Sequence, residues 1–261
     1  MIPLKKILFS LLLIILIVAL PLVNGCQVVT GSGEIITLVM DYQDFTRIDI
    51  GYGFEVEVTR ADVYLVSVTI DEVLVEYLNI DQSGDKIHIG LKSNYRYANL
   101  TRKVVINLPD LRTLELSGGS EGTVSGFSVS HNVDFELSGA SRINIIDLEA
   151  EDVDLNISGA SDVTGSIDMD DGDFDLSGGS RLELTGSAKD ISVEASGASD
   201  VGLEDFPVDN ADIELSGASD AEIYVSGQLK IDLSGASELI YAGHPLLGSI
   251  DVSGGSSITQ K

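Results

Sequence analysis

The sequence is poor in cysteine, aromatic residues and positive charge. Its single cysteine, Cys26, excludes a framework of internal disulfide bonds. Tryptophan is absent and aromatic residues make up 6% of the chain, which suits a thin interior of aliphatic side chains. Lys and Arg number 15 against 42 Asp and Glu, so the net charge is −27. Such a charge repels nucleic acid and anionic membranes, and we expect no nucleic-acid partner.

What the chain has in abundance is a four-residue motif, Ser-Gly-(Ala/Gly)-Ser. It occurs eight times at intervals of 18 to 21 residues, beginning at Ser117, Ser138, Ser158, Ser177, Ser196, Ser216, Ser234 and Ser253. A regular period of this length is typical of a stacked repeat. No copy has helical periodicity, and about 20 residues are too few for a βαβ unit, which needs roughly 30.

Each motif lies between two short segments in which apolar and polar residues alternate. Leu114, Glu115 and Leu116 show the pattern before the first motif, and it predicts a strand with one buried face. Such strands suit a β-helix, in which each strand pairs with its equivalent in the next coil, roughly 4.8 Å away. The predicted fold class is therefore all-β: a single-stranded parallel β-helix, or solenoid, with coils of about 20 residues.

The first glycine of each motif is predicted to form a corner, because glycine adopts positive φ without steric cost. These corner glycines are Gly118, Gly139, Gly159, Gly178, Gly197, Gly217, Gly235 and Gly254. The next position is always Ala or Gly, and we expect it to be crowded. The second serine is expected to hydrogen-bond the backbone of the turn. Only three histidines are present to serve as a base for so many serines, so we expect no catalytic residues and no enzyme activity.

Stacked coils also predict columns of outward-facing charges. The column after the motif reads Glu121, Arg142, Asp162, Arg181, Asp200, Asp220, Glu238, and the column before it reads Glu115, Glu136, Asn156, Asp175, Glu194, Glu214, Asp232, Asp251. We interpret the acids as solvated faces that resist aggregation. Calcium sites are the alternative, but the Gly-Gly-x-Gly-x-Asp loops of calcium-binding solenoids are missing. We therefore expect no metal and no other cofactor.

Residues 1–25 have the pattern of an export signal, with Lys5 and Lys6 before an apolar run. Small residues lead into Cys26, which resembles a lipobox, and this resemblance implies cleavage after Gly25 and lipid attachment at Cys26. An ordinary cleaved signal peptide or an uncleaved anchor is the alternative. The prediction is an exported protein, held by its N-terminal lipid on the extracytoplasmic face of a membrane. Cleavage would remove two Lys and no acid, leaving 13 bases and 42 acids, or −29.

The rest of the chain is predicted to form one domain after a short tether at 26–33. The β-helix domain spans 34–261, with irregular N-terminal coils at 34–110 and eight regular coils at 111–261. Within the irregular part, 45–58 indicates an early, degenerate coil, 78–91 a hairpin and 92–102 a loop that projects from the rod.

Four segments together resemble the bacterial and archaeal family "putative auto-transporter adhesin, head GIN domain". They are Phe45-x-x-Ile48, Gly53-Phe54-x-Val56, Val104-x-Ile106-x-x-Pro109-x-Leu111 and the Ser-Gly-x-Ser series. The resemblance covers about residues 33–258. It implies a right-handed β-helix on an exported, often lipid-anchored protein, and it assigns no binding residue.

The remaining candidates for a function lie in the 92–102 segment. Tyr95 and Tyr97 are candidate ligand contacts, for stacking on a sugar or peptide, or else they pack the loop onto the rod. Asn99 begins a glycosylation sequon. We expect a non-catalytic adhesion, scaffold or envelope-interaction module whose partner is a cell-surface protein or glycan. The alternative is a carbohydrate-binding or polysaccharide-processing surface protein that uses the acidic face and the tyrosines.

Overall fold

The computed structural model describes residues 27–261, most of which lie in strands. The predicted signal peptide and Cys26 lie outside these residues. The irregular region contains β1 (Gln27–Thr30), β2 (Ile35–Met40), β3 (Arg47–Ile50), β4 (Glu55–Arg60), β5 (Leu65–Asp71), a 3₁₀ helix (Glu72–Leu74), β6 (Leu78–Ser83), β7 (Lys86–Leu91), β8 (Tyr95–Ala98) and β9 (Arg102–Leu108). The regular region contains β10 (Thr113–Leu116), β11 (Glu121–Ser125), β12 (Val133–Leu137), β13 (Arg142–Glu149), β14 (Asp152–Ile157), β15 (Asp162–Asp168), β16 (Asp171–Leu176), β17 (Arg181–Ala195), β18 (Asp200–Leu215), β19 (Asp220–Val225), β20 (Gln228–Leu233), β21 (Glu238–Ala242), β22 (Leu246–Val252) and β23 (Ser257–Gln260).

The strands form two long parallel ladders. The first ladder runs from β7 through β3, β10, β12, β14 and β16, then through the C-terminal parts of β17 and β18 to β20 and β22. The second ladder runs from β9 through β4, β11, β13 and β15, then through the N-terminal parts of β17 and β18 to β19, β21 and β23. In the regular region each strand pairs with its equivalent about one period away, so the predicted β-solenoid is confirmed.

The order of stacking departs from the order of the chain at the N-terminal end. Strands β3 and β4 form the predicted early coil and pair with β10 and β11. The opposite edges of β3 and β4 pair with β7 and β9, which come later in the sequence. The coil of β7 and β9 therefore lies outside that of β3 and β4, and the chain passes back over the early coil to begin β10.

Antiparallel strands close this end of the β-helix. Strands β6 and β7 form the predicted hairpin, β5 pairs with the free edge of β9, and β2 pairs with β5. Leu74 in the 3₁₀ helix is fully buried, so the segment after β5 covers the core. The end with β6 and β2 is thus capped by local antiparallel structure.

Residues 92–102 do not form the projecting loop expected from the sequence. They contain β8, which pairs in parallel with β1, and β1 itself lies in the segment expected to be a tether. The carboxylate of Asp71 hydrogen-bonds the backbone of both segments. It is 3% exposed and accepts hydrogen bonds from the backbone amides of Gly33 at 3.2 Å and Thr101 at 2.8 Å. Hydrogen bonds to a side chain distant in sequence thus hold these two segments, which lack the repeat motif.

The core is a continuous stack of inward-facing aliphatic side chains with a few phenylalanines. Leu114, Phe135, Leu155 and Phe174 are successive members of one inward column of the first ladder, and all are fully buried. Gly122 interrupts the inward column of the second ladder. A Cβ at this position would lie 2.8 Å from Cδ1 of Leu116, so the glycine leaves room for the leucine.

Candidate functional site: an acidic groove along the first ladder

The corner glycines bring the backbones of successive coils into direct contact. Their φ angles lie between 63° and 84°, at Gly118, Gly139, Gly159, Gly178, Gly197, Gly217, Gly235 and Gly254. From Gly178 onward, a Cβ would lie 2.4 to 2.5 Å from the carbonyl oxygen of the corner glycine in the preceding coil. The same carbonyl oxygen accepts a hydrogen bond from the backbone amide of the residue that follows the corner glycine of the next coil. The carbonyl of Gly178, for example, accepts from the amide of Ala198 at 2.7 Å.

The position after the corner glycine is not crowded, contrary to expectation. A Cβ at Gly119 would meet nothing within 4 Å, and one at Gly179 would lie 4.0 Å from the nearest heavy atom. The close approach between coils is therefore one residue earlier than the sequence suggested. The restriction to Ala or Gly at this position is not set by contact with the neighbouring coil.

In seven of the eight motifs the second serine is a buried structural group. Its hydroxyl donates to the carbonyl oxygen of the first serine at 2.7 to 2.9 Å, in Ser120, Ser141, Ser161, Ser180, Ser199, Ser219 and Ser237. All seven are at most 2% exposed. His88 and His131 hydrogen-bond to Asp49 and Asp110, not to a motif serine. These contacts give the second serines the role of closing the turn.

The first serines of the first seven motifs and the polar residues two positions before them, together with Asp49 of the early coil, line a groove of about 710 Å³ along the first ladder. Its acidic and amide side chains are Asp49, Glu115, Glu136, Asn156, Asp175, Glu194, Glu214 and Asp232, and its serines are Ser117, Ser138, Ser158, Ser177, Ser196, Ser216 and Ser234. We call this surface the acid–serine groove. Direct pairing places each of these acidic or amide side chains opposite the next one along the ladder, so the spacing is roughly 4.8 Å.

Positive charge meets the acid–serine groove at its N-terminal end. Lys86 Nζ lies 2.7 Å from Glu115 and 3.6 Å from Asp49, and His88 Nδ1 lies 3.0 Å from Asp49. Farther along the groove, the carboxylates lack this compensation. Within residues 27–261 no ion pair involves Glu136, Asp175, Glu194 or Glu214. The middle of the groove therefore carries uncompensated negative charge.

Three aspartates of the first ladder show the electrostatic effect of this stacking. Desolvation raises the pKa of Asp154, and the charges of Asp134 and Asp173 on the neighbouring strands raise it further. Desolvation and the charge of Asp173 also raise the pKa of Asp175. Desolvation and neighbouring aspartates raise the pKa of Asp171. Of these three, Asp175 lines the groove, whereas Asp154 and Asp171 lie outside its lining on the same ladder. Like charges therefore crowd this ladder, and a bound cation would relieve that crowding.

The second ladder balances part of its charge. Arg142 lies between Glu121 and Asp162, with both ion pairs at 2.9 Å. Arg181 contacts Glu183 at 3.5 Å and Asp200 at 3.8 Å. The strand registers place this column in the predicted order. The two ladders therefore present different surfaces: the second has alternating charge at its start, whereas the middle of the acid–serine groove carries uncompensated acids.

A smaller pocket of about 520 Å³ adjoins the N-terminal end of the groove, where His88 contacts Asp49. We call it the tyrosine pocket. Its lining consists of Tyr52, Asn79, His88, Leu91, Lys92, Ser93 and Tyr95. The candidate Tyr95 lies in this pocket, whereas Tyr97 is not part of the lining. The Tyr97 hydroxyl donates to the carbonyl of Lys92 at 2.7 Å, and its ring packs edge-on against Tyr52 and Tyr77.

Arg102 contacts the backbone of Tyr52, one of the residues that line the tyrosine pocket. Its guanidinium donates to the carbonyl oxygen of Tyr52 at 2.5 Å, and desolvation lowers its pKa. Asn99, the glycosylation candidate, is exposed with a φ of 55° just after β8. Within residues 27–261, no group of three or more His, Cys, Asp or Glu side chains is placed to hold a metal ion.

Sequence reasoning did not find Tyr52, Asn79 and His88 as neighbours of Tyr95. The hairpin of β6 and β7 carries Asn79 and His88, and its pairing with β3 brings them beside the first corner. A signal for Tyr52 was present, because Gly51-Tyr52-Gly53 occupies the corner position of the early coil. The inverted stacking order that assembles the pocket has no signature in the sequence.

Comparison with known proteins agrees with this architecture. A "putative adhesin" from Parabacteroides merdae superposes with a TM-score of 0.84 at 18% identity, covering 90% of this chain and 99% of that one. A "putative adhesin" from Parabacteroides distasonis gives 0.82 at 19%, covering 90% and 100%. A "putative lipid binding protein" from the same species gives 0.76 at 20%, with the same coverage. No curated protein matches the chain. The family model "putative auto-transporter adhesin, head GIN domain" matches residues 44–245, and the chain therefore belongs to this family.

Proposed function

We propose that the protein is a non-catalytic, exported interaction module of the adhesion type, and that it contacts its partner along the acid–serine groove. The observation that carries this proposal is the groove itself. It extends from Asp49 to Ser234 and, from Glu115 onward, repeats one acid or amide and one serine in each coil. The family description and the descriptions of similar structures as adhesins support the class of role.

The chemistry of the groove favours an extended ligand that carries positive charge. Carboxylates and serine hydroxyls recur at a spacing of roughly 4.8 Å, so a chain-like ligand can make the same contact on successive coils. The raised pKa of Asp175, which lines the groove, reflects desolvation and the charge of Asp173. A cationic ligand would reduce that repulsion on binding, which gives electrostatic complementarity.

Binding of a fluorescent oligolysine peptide to residues 27–261 tests the groove. The double variant Glu194→Gln/Glu214→Gln removes two exposed groove charges. The matched control, Asp200→Asn/Glu238→Gln, removes two exposed charges from the second ladder. We expect the groove variant to weaken binding by at least about fivefold more than the control at 0.15 M salt, where surface charges act within about 8 Å. Equal weakening by both variants would contradict a groove-specific site.

Export and lipid attachment belong to the same proposal. The apolar run at 7–22 and the lipobox-like approach to Cys26 support an N-terminal lipid anchor on the extracytoplasmic face. In residues 27–261 no helix is long and apolar enough to cross a membrane. The lipid on Cys26 would hold the rod by the end that carries β1.

Saccharide binding at the tyrosine pocket is a second candidate function. Tyr52 and Tyr95 offer aromatic faces beside the side chains of Asn79, His88 and Ser93, which provide hydrogen-bonding groups. Aromatic rings with a polar handle are well suited to recognising amphipathic ligands. A glycan array probed with residues 27–261 tests this function. Tyr52→Ala should abolish the signal and Tyr224→Ala, at an exposed tyrosine of the second ladder, should not. No signal from the parent would exclude the pocket.

A further inference from the structure

The carboxylate column of the acid–serine groove continues into the tyrosine pocket. The strand registers place Glu115 opposite Asp49, and Asp49 opposite His88. The first two of these residues line the groove, whereas His88 lines the pocket. Register partners on neighbouring parallel strands share a face of the sheet, so the three side chains form one column. The pocket is therefore the N-terminal continuation of the groove.

The sign of the charge reverses between the groove and the pocket. The groove is lined by seven acids and no base, whereas the pocket is lined by Lys92, His88 and no acid. Within residues 27–261, no ion pair involves Lys92 or Arg102. The Nε of Arg102, whose guanidinium donates to the carbonyl of Tyr52, is also buried without a hydrogen-bond partner. Residues 86–109 contain five Lys or Arg and no acid, on a chain of net charge −27. The pocket thus lies in a local region of positive charge.

Two unusual residue choices give the pocket its shape. Tyr52 occupies the corner position of the early coil with a φ of 67°, and a Cβ at Gly118, the next corner along the ladder, would lie 3.0 Å from its amide nitrogen. A bulky side chain at positive φ is costly, and such strain is concentrated at functional sites. Gly90 leaves space between two rings of the lining, because a Cβ there would lie 3.0 Å from His88 Nε2 and 3.4 Å from Tyr52 Cδ2. The pocket therefore depends on a tyrosine where the motif has glycine and on a glycine where a side chain would fill it.

The order of charges along this surface identifies the kind of ligand. The groove suits a chain of positive charges, and the pocket suits a negative group at one end of that chain. The C-terminal segment of a basic polypeptide has this order, because its side chains are positive and its terminal carboxylate is ionised at neutral pH. A linear polyamine and a neutral saccharide both lack the negative end. Capture of a C-terminal carboxylate is also a recurring mode of peptide recognition.

We propose that the tyrosine pocket binds the C-terminal carboxylate of a basic peptide whose preceding residues lie in the acid–serine groove. Lys92 provides the opposite charge, and the side chains of Asn79 and Ser93 provide hydrogen-bond donors. Tyr52 and Tyr95 contact the last side chain of the peptide. The peptide then follows the first ladder with its N-terminal end toward the later coils. This inference rests on the proposed function, because the groove must hold the rest of the peptide.

Two fluorescent oligolysine peptides that differ only at the C-terminus test the pocket. One ends in a free carboxylate and the other in an amide, and both are titrated with residues 27–261, which contain every strand described above. General attraction to an acidic protein favours the amide, because this peptide carries one more net positive charge. The proposal predicts the opposite order, with the carboxylate peptide binding at least about fivefold more tightly at about 0.15 M salt.

Variants of the pocket locate the preference for the carboxylate. Lys92→Gln should remove it by removing the charge, and Gly90→Ala should remove it by filling the space between the two rings. Lys230→Gln is the matched control, because Lys230 pairs with Asp212 on the first ladder and lies outside the lining of both the groove and the pocket. This control should keep the preference for the carboxylate peptide.

The results separate the pocket from the groove. Glu194→Gln/Glu214→Gln should weaken both peptides and keep the preference, since the pocket is intact. Binding of both peptides without a preference for the carboxylate, or a preference that survives both Lys92→Gln and Gly90→Ala, would overturn the pocket's role and leave the groove standing. Binding of neither peptide would contradict the groove and, with it, this inference. A glycan signal that Gly90→Ala abolishes without changing the preference between the peptides would assign the pocket to a saccharide instead.

Discussion

At the scale of single residues, the corner glycines set the distance between coils. A glycine with positive φ is common wherever a chain turns sharply. Here a second constraint is added, because the carbonyl of one corner lies where the Cβ of the next corner would be. The two motif positions after the first serine look alike in sequence, since both hold small residues. The structure separates them into one that admits no side chain and one that is open.

Gly217→Ala and Gly179→Ala test this separation. A Cβ at Gly217 would lie 2.5 Å from the carbonyl oxygen of Gly197 at a φ of 77°, so we expect a loss of about 2 kcal/mol or more in unfolding free energy. Gly179→Ala introduces the residue found at this position in other motifs and should change stability by less than about 0.5 kcal/mol. Urea unfolding measures both. Equal losses would show that the corner contact is not the constraint.

At the scale of strands, the two ladders handle their charges differently. In the second ladder, Arg142 lies between two acids, which offsets part of the like-charge repulsion. In the first ladder, Asp154 has acidic neighbours on both adjoining strands, Asp134 and Asp173. The same backbone architecture therefore produces one column whose charges are partly balanced and one in which neighbouring carboxylates repel each other.

Replacement of one acid on each ladder tests this difference. Folding raises the pKa of Asp154, so its ionised form lowers the stability of the folded state at neutral pH. That cost vanishes as the pH falls below the unfolded pKa of about 4. Asp154→Asn should therefore raise the melting temperature at pH 7 and lose this advantage near pH 3. Asp162→Asn, which removes a partner of Arg142, should not raise it. A lower melting temperature for Asp154→Asn at pH 7 would contradict the account.

The regular strands were predictable from the sequence because each coil repeats the same alternation around the same motif. The registers of Glu121 with Arg142 and of Arg142 with Asp162 follow from motif spacing alone. The N-terminal region was predictable only in pieces, such as the hairpin at 78–91. Its assembly depends on β7 and β9 pairing with strands that precede them and on the buried carboxylate of Asp71. Such non-local contacts leave no periodic trace, which is why β8 was mistaken for a loop.

At the scale of the whole molecule, the β-helix has one end closed by antiparallel strands and an acidic groove along its side. Strands β2, β5 and β6 close the N-terminal end. The acid–serine groove begins near that end, at Asp49, and follows the first ladder to Ser234. A chain-like partner of the proposed kind would therefore contact several coils at once.

The proposed anchor predicts a single site of lipid attachment. Cys26→Ser removes the thiol that accepts the lipid in the lipobox interpretation. Cells that express the full chain should incorporate a palmitate analogue into the parent and not into the variant. Val63→Ser, at an exposed side chain between β4 and β5, serves as an expression control. Equal labelling of Cys26→Ser and the parent would rule out this mode of anchoring.

The central claim is that the β-helix stacks carboxylates in excess of the cations that balance them. The most direct test is the melting temperature of residues 27–261 between about 0.01 and 0.5 M NaCl, a range in which the screening length falls severalfold. The account predicts a rise across this range, and no further rise when millimolar calcium is added at fixed ionic strength. A flat NaCl curve would contradict the stacked repulsion, and a large, saturable rise with calcium alone would replace it with a specific metal site.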